Sequence, residues 1–152
     1  MNLDQFILES RGFVSEIEKE LPNLLSEVAV NANSLIQLRV QETGINASGT
    51  KLGDYSDGVY KSTRSDRGLP TNFVNLTFTG RMWSNIDIIS VKSQGGTAKV
   101  QVGASIEENE DKLSFNSVRY EDEILEVSES EEEELDIVMD AGVQQIADKF
   151  FK

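Results

Sequence analysis

The chain contains neither cysteine nor histidine among its 152 residues. Without cysteine, disulfide bonds, thiolate metal sites and cysteine nucleophiles are excluded. Without histidine, the chain lacks the commonest general base and the commonest metal ligand, and a catalytic triad with histidine is impossible. An enzyme would have to use carboxylates, lysine, tyrosine or serine alone, so we expect a non-enzymatic protein without a cofactor.

Long apolar runs are also missing. No stretch approaches the roughly 18–20 apolar residues that span a membrane. The segment Met1–Arg11 carries Asp4 and Glu9 and lacks the basic start of a signal peptide. The length suits one domain with its own core. We therefore expect a single domain over residues 1–152 that folds in the cytosol and does not contact a membrane.

The net charge of −13 is unevenly distributed. Fourteen of the 27 acids lie within residues 107–136, where only Lys112 and Arg119 oppose them, whereas residues 39–81 are mildly basic. Phosphate repulsion removes the usual electrostatic attraction of such a chain to bare nucleic acid. The charge suits a basic partner, or a passage through which DNA slides without sticking.

The two ends of the chain carry helical patterns. Apolar residues at three-and-four spacing predict helices over residues 2–20 and 22–42, and Pro22 leaves open whether these are two helices or one kinked helix. Gly44 is predicted to end the second. Ser128-x-x-Glu131 and Ser130-x-x-Glu133 are overlapping capping boxes that predict the start of a final amphipathic helix. Its predicted buried stripe contains Leu135, Val138, Met139, Gly142, Ile146 and Phe150.

The middle of the chain carries strand patterns. Residues 73–78 alternate as a strand, and the Thr79-Gly80 corner leads to a single helical turn with Met82 and Trp83. Residues 86–93 and 98–105 predict a hairpin, turned at 94–97, in which Ile89 and Val91 share a face. A short helix or irregular segment is expected near 108–117, followed by an extended piece. The predicted fold class is α+β: a small antiparallel sheet, made of the hairpin and one additional strand, packed against long N-terminal and C-terminal helices.

Residues 44–71 lack any period and are rich in Gly, Ser, Asp and Asn, which predicts a long loop. Such a loop in a compact domain is either functional or disordered, and both readings stay open. Its tyrosines and basic residues suit a docking surface. The partner-interface candidates, together with the only tryptophan, are Tyr55, Tyr60, Lys61, Arg64, Arg67 and Trp83.

No metal or phosphate site is predicted. The run Glu131–Glu134 suits a helix start better than a cation site, because carboxylates there interact favourably with the helix dipole. The segment Asp54–Gly58 fails the calcium-loop pattern, since Gly58 stands at the third ligand position and Ser65 at the twelfth. The glycines between Gly44 and Gly58 lack the Lys and the preceding strand of a phosphate loop.

Three features follow one another along most of the chain. A long helical segment with Arg39 near its end precedes the glycine-rich loop Gly49–Tyr60. The strand and corner 74–84 then lead into the glycine-turned hairpin. The segment Phe115–Tyr120 and the phrase Ile124–Ser128 finally open the last helix. This order resembles the tailed-bacteriophage virion morphogenesis family, the small neck and tail-completion proteins.

The resemblance implies a structural protein of the virion, located at the head–tail junction and assembled in the host cytoplasm. It implies a homo-oligomeric ring that completes the tail or joins it to the connector. The implied partners are connector or head-completion proteins and tail-tube or tail-terminator proteins, with genomic DNA passing through the lumen without sequence-specific binding.

The net charge of −13 leaves open a second function, an acidic DNA mimic that inhibits a nucleic-acid-binding protein. A carboxylate-only enzyme is a third reading, for which the sequence nominates no residue.

Overall fold

The computed structural model describes residues 3–94, 97–120 and 124–151. In these ranges the chain forms four α-helices, one short 3-10 helix and a two-stranded antiparallel sheet, which confirms the α+β class. The elements are α1 (Leu3–Thr43), α2 (Val59–Asp66), the 3-10 helix (Trp83–Asn85), β1 (Ile86–Gln94), β2 (Thr97–Ala104), α3 (Glu107–Arg119) and α4 (Glu129–Phe150).

Helix α1 is continuous, which answers the question that Pro22 left open in the sequence. Proline removes one backbone N–H donor from the helix, but the apolar face that follows it is buried, beginning with Leu24. Gly44 ends the helix as predicted, with a φ of +65°. A Cβ at this position would lie 2.7 Å from the carbonyl oxygen of Val74, so the chain turns here in a space that only glycine fits.

Helices α1 and α4 pack side by side in opposite directions. Arg39 contacts Glu131 near the start of α4, and the ring of Phe13 lies 5.5 Å from that of Phe150 at its end. The predicted stripe of α4 is confirmed, since Leu135 and Ile146 are buried. Ser128 and Glu131 form the predicted capping box. Ser130 lies inside α4, so the second predicted box does not cap it.

The hairpin is confirmed, with a bulge that sequence periodicity missed. The register shifts between Ile88 and Ser90, so that Ile88 pairs with Val102 and Ser90 with Gln101. Val91 then pairs with Val100, whereas Ile89 lies outside the pairing and packs beside Gly103. The prediction that Ile89 and Val91 share a face is therefore wrong, because a bulge re-phases the side chains that follow it. The predicted turn residues Gly95 and Gly96 lie outside the described residues.

The additional strand at 73–78 does not form. Its backbone groups bond to other parts of the chain: the Val74 amide donates to the carbonyl of Gly53, and the Thr77 carbonyl accepts from Arg64. Leu76 also adopts a φ of +53°, which breaks an extended run.

The prediction of a long loop over residues 44–71 was wrong in part, since this segment contains α2 and a bridge between Ile45 and Lys51. The expected helix near 108–117 is α3, and the extended piece after it falls partly outside the described residues.

The main core lies where the end of α1, the base of the hairpin and α3 meet. Its buried members are Ile36, Val40, Leu52, Val74, Met82, Trp83, Ile86, Leu113 and Ile124. The predicted turn is the 3-10 helix, which contains Trp83 and follows directly after Met82, and the Thr79 hydroxyl accepts a weak hydrogen bond from the Arg81 amide. No helix in the described ranges has both the length and the apolar character that a membrane crossing requires.

Gly142 of α4 lies against Leu24 of α1, and a Cβ there would overlap the buried Leu24 side chain. Gly142→Ala should lower the free energy of unfolding by about 1–2 kcal/mol, because overpacking outweighs the helix propensity of alanine. The control is Gly12→Ala, whose Cβ would lie 3.1 Å from the edge of the Phe150 ring. Urea unfolding of both variants checks this, and equal stabilities would contradict it.

Candidate functional site

Arg39 ties four parts of the chain together. Its Nε lies 2.8 Å from Glu131 Oε1, and Nη1 donates to the carbonyl of Ile45 at 3.1 Å. Nη2 donates to the carbonyl of Glu126 at 2.7 Å and more weakly to that of Ile124. Both side chains of the ion pair are only 8% exposed. A planar guanidinium supplies five donors in a fixed arrangement, so a single side chain can hold several segments at once.

Glu131 serves two partners with its two oxygens. Oε1 accepts from Arg39, and Oε2 accepts from the Ser128 amide at 2.8 Å, which completes the capping box. Burial raises the pKa of Glu131, but the hydrogen bonds from Arg39 and Ser128 together lower it below its ordinary value. The carboxylate therefore stays ionised, and it fixes the start of α4 against the end of α1.

Arg64 organises the irregular segment 44–82 in the same manner. It is 0% exposed and donates to the carbonyls of Pro70 at 3.0 Å and Thr77 at 2.6 Å, and to Asn75 Oδ1 at 2.9 Å. Its guanidinium also lies 4.1 Å from the centre of the Tyr55 ring. Burial raises the pKa of Tyr55, opposed by its hydrogen bond with Asn75 and by the charge of Arg64. This buried network, and not a β-sheet, fixes the segment that was predicted to dock a partner.

The six predicted interface residues differ in their solvent exposure. Arg64 and Trp83 are 0% and 2% exposed, so in this conformation they hold the chain together and offer no surface to a partner. Tyr60 and Arg67 are exposed, while Tyr55 and Lys61 are half-buried. The hypothesis that these four contact a partner stays a prediction. The Trp83 indole Nε1 is buried without a hydrogen-bond partner among the described residues.

A cleft of about 610 Å³ opens between the 54–82 segment and α3. One wall is aromatic: the Tyr60 ring lies 5.6 Å from Tyr55 and 5.5 Å from Phe78. The other wall comes from α3, where the spacing of four and three residues places three polar side chains on one face. These are Lys112, Asn116 and Arg119.

The cleft is basic although the protein is strongly acidic. Arg81, Lys112 and Arg119 line it, against the single acid Asp54. Lys112 pairs with Glu108, and this hydrogen bond lowers the pKa of the Glu108 carboxyl. Asp54 pairs with Lys51. Arg81 and Arg119 have no ion-pair partner within the described part of the chain, so the cleft suits a carboxylate or another anion.

No metal site is found in the ranges that the structure covers: no three or more acidic side chains are grouped to hold an ion. In the run Glu131–Glu134, the first residue, Glu131, is buried, and the three glutamates that follow it are exposed. Comparison with protein families, with characterised proteins and with solved structures found no match.

Sequence reasoning did not identify the cleft. Its cations come from two distant segments, Arg81 and the α3 pair Lys112 and Arg119. One signal was available, because Lys112 and Arg119 are the only basic residues within 107–136 and a seven-residue spacing puts them on one helix face. The role of Arg39 was missed for another reason: apart from Ile45, its hydrogen-bond partners lie 85–92 residues away in the sequence.

Arg39→Ala should lower the free energy of unfolding by about 3–5 kcal/mol, because the Glu131 carboxylate would stay buried without its ionic partner. Urea unfolding at neutral pH measures this. Arg11→Ala, at an exposed position of the same helix, is the control. Similar losses in the two variants would contradict the role of Arg39.

The pH dependence provides a second measurement on this pair. Because the pKa of Glu131 is lowered in the folded state, its contribution is present above the unfolded pKa and is lost as the pH falls through the folded value. As the pH is lowered, the free energy of unfolding should therefore decrease more steeply in the wild type than in Glu131→Gln. Parallel curves would contradict the assignment.

Arg64→Ala should lower the free energy of unfolding by about 3–5 kcal/mol, since it leaves the carbonyls of Pro70 and Thr77 without the donor that Arg64 supplies and removes one hydrogen bond from Asn75. Arg67→Ala is the matched control, because Arg67 is exposed and contacts the Phe78 ring from 4.6 Å. We expect the control to change stability by less than about 1 kcal/mol. Urea unfolding decides between them, and equal losses would contradict the buried role of Arg64.

Proposed function

We propose that this protein is a structural component of the tailed-phage head–tail junction, which completes the tail or joins it to the connector as a subunit of a ring. The role is non-enzymatic. The ring contacts connector or head-completion proteins on one side and tail-tube or tail-terminator proteins on the other. Genomic DNA passes through its lumen without sequence-specific contacts, and the protein resides in the virion.

The main support for an assembly role is that the chain has a larger solvent-accessible surface than a compact monomer of its mass. The chain exposes 10117 Å², whereas a compact monomer of its mass exposes about 7,700 Å². The difference of about 2,400 Å² compares with about 800 Å² that one partner buries in a standard interface. A ring subunit buries two such patches, one towards each neighbour, and contacts further proteins above and below.

The nature of the exposed residues supports the same role. Among the described residues, more large apolar side chains are exposed than are buried in the core. The most exposed include Val59 on α2, Phe115 and Val118 on α3, and Ile137 on α4. Phe115 and Val118 are three residues apart on one helix and form an exposed apolar patch, and such patches mark protein interfaces in soluble proteins.

The three features of the phage resemblance also meet in space. Arg39, from the first feature, bonds the carbonyls of Ile124 and Glu126 and the side chain of Glu131, from the third. Val74 and Met82, from the second feature, share the core with Ile124. Features that form one packed unit support the resemblance more strongly than separate motifs would.

The acidic DNA mimic has less support. A mimic needs carboxylates spaced over a surface, but Glu131 is buried against Arg39, and Glu108 is paired with Lys112. The cleft adds a basic surface, lined by Arg81 and Arg119, that would repel a DNA-binding partner's own basic face. The head–tail junction is therefore the better proposal.

In vitro complementation tests the proposal. An extract of infected cells in which the phage lacks this gene should contain filled heads and separate tails, and few infectious particles. Adding the purified protein should raise the titre, and mass spectrometry should detect it in the resulting virions. The same amount of heat-unfolded protein is the control for non-specific effects and should not restore the titre. Normal tailed, infectious particles without the gene would overturn the proposal.

A further inference from the structure

Helix α3 combines a basic and an apolar surface side by side. Arg119 lines the cleft together with Arg81, while Phe115 and Val118, on the adjoining face of α3, are 65% and 80% exposed. Since Phe115 and Val118 are three residues apart, they form one patch along the helix. The surface therefore presents two arginines without ion-pair partners among the described residues, next to a bare apolar patch.

Helix α4 presents the complementary combination on its outer face. Leu135 is buried, and residues two positions away from it in a helix point to the opposite side. Glu133 and Ile137 occupy those positions, and Glu134 lies three residues before Ile137. Ile137 is 69% exposed, and neither Glu133 nor Glu134 has an ion-pair partner in the described ranges.

These two surfaces do not cover each other within one chain, because the residues of both are exposed. They can meet only between copies. Carboxylates would face the arginines and the isoleucine would face the apolar patch, so charge and hydrophobic character match together. A contact between two different surfaces of the same chain is head-to-tail, and repetition of such contacts closes a ring when the rotation allows.

We infer that the outer face of α4 in one copy docks across the α3 surface of the next copy, with Glu133 and Glu134 at the cleft arginines Arg81 and Arg119 and with Ile137 on the adjoining patch of Phe115 and Val118. This inference rests on the ring assembly in the proposed function and assigns its subunit contact. Contacts between opposite charges steer the encounter, and burial of the apolar residues supplies most of the stability.

Charge reversal tests the contact on both sides. Sedimentation velocity over a range of concentrations gives the concentration at which half of the protein is assembled. R81E/R119E and E133K/E134K should each raise this concentration by about tenfold or more, since like charges would then face each other. Mixed in equal amounts, the two variants should assemble almost as well as the wild type, because each surface of one variant matches a surface of the other.

The controls separate this contact from general effects of charge and folding. E9K/E18K, on exposed positions of α1, changes the net charge by the same amount as E133K/E134K and should leave assembly unchanged. Circular dichroism melts verify folding, and Ile137→Ser, a single exposed change, provides a second route if a double variant unfolds. It should also weaken assembly.

Three results would overturn the inference: a wild type that stays monomeric at every concentration, a mixture that fails to restore assembly, or a control that weakens it equally. Failure of the proposed function is distinguishable. If the mixture assembles but the protein does not restore infectivity in the complementation experiment, the subunit contact stands and the role in the virion falls. If infectivity is restored but charge reversal has no effect, the role stands and this contact falls.

Discussion

The fold depends on one buried arginine. Arg39 connects the end of α1 to the turn at Ile45, to the carbonyls before α4 and to the carboxylate that caps α4. The partners at residues 124–131 lie 85–92 positions along the chain from Arg39, so the guanidinium closes a loop of about 90 residues. Closing such a loop costs conformational entropy that grows only slowly with its length. Several charge-assisted hydrogen bonds from one side chain offset this cost and fix the antiparallel arrangement of α1 and α4.

A second buried arginine, Arg64, provides hydrogen-bond donors to the irregular segment between α1 and the 3-10 helix. The segment from Gly44 to Met82 has little regular structure, so its backbone groups lack the partners that helices and sheets provide. Arg64 and Asn75 supply them, and Asn75 also reaches the carbonyl of Gln41 on α1. The order of this segment therefore comes from side chains. As a result the cleft has a fixed aromatic wall although that wall is built largely from loop.

Local chemistry made part of this structure predictable. The capping box at Ser128, the stop at Gly44 and the hairpin follow from preferences that act within a few residues, and all three were predicted correctly. The failures involve distant partners: residues 73–78 alternate as a strand does, but Arg64 takes the carbonyl that a neighbouring strand would need. The candidate site divides similarly. Tyr60 and Arg67 are exposed, and their role at an interface stays a prediction, whereas the burial of Arg64 and the meeting of Arg81 with Arg119 depend on tertiary contacts that periodicity does not encode.

The order of elements along the chain has a consequence for synthesis on the ribosome. Helix α1 is made well before α4, which covers one of its faces. At about 5–20 residues per second, roughly 107 residues of further synthesis leave that face uncovered for about 5–20 s. Carboxylates on α1, such as Glu18, Glu20 and Glu27, favour the solubility of the nascent helix during this interval. The acidic character of the chain thus serves it before folding is complete, when its most apolar helix has no partner.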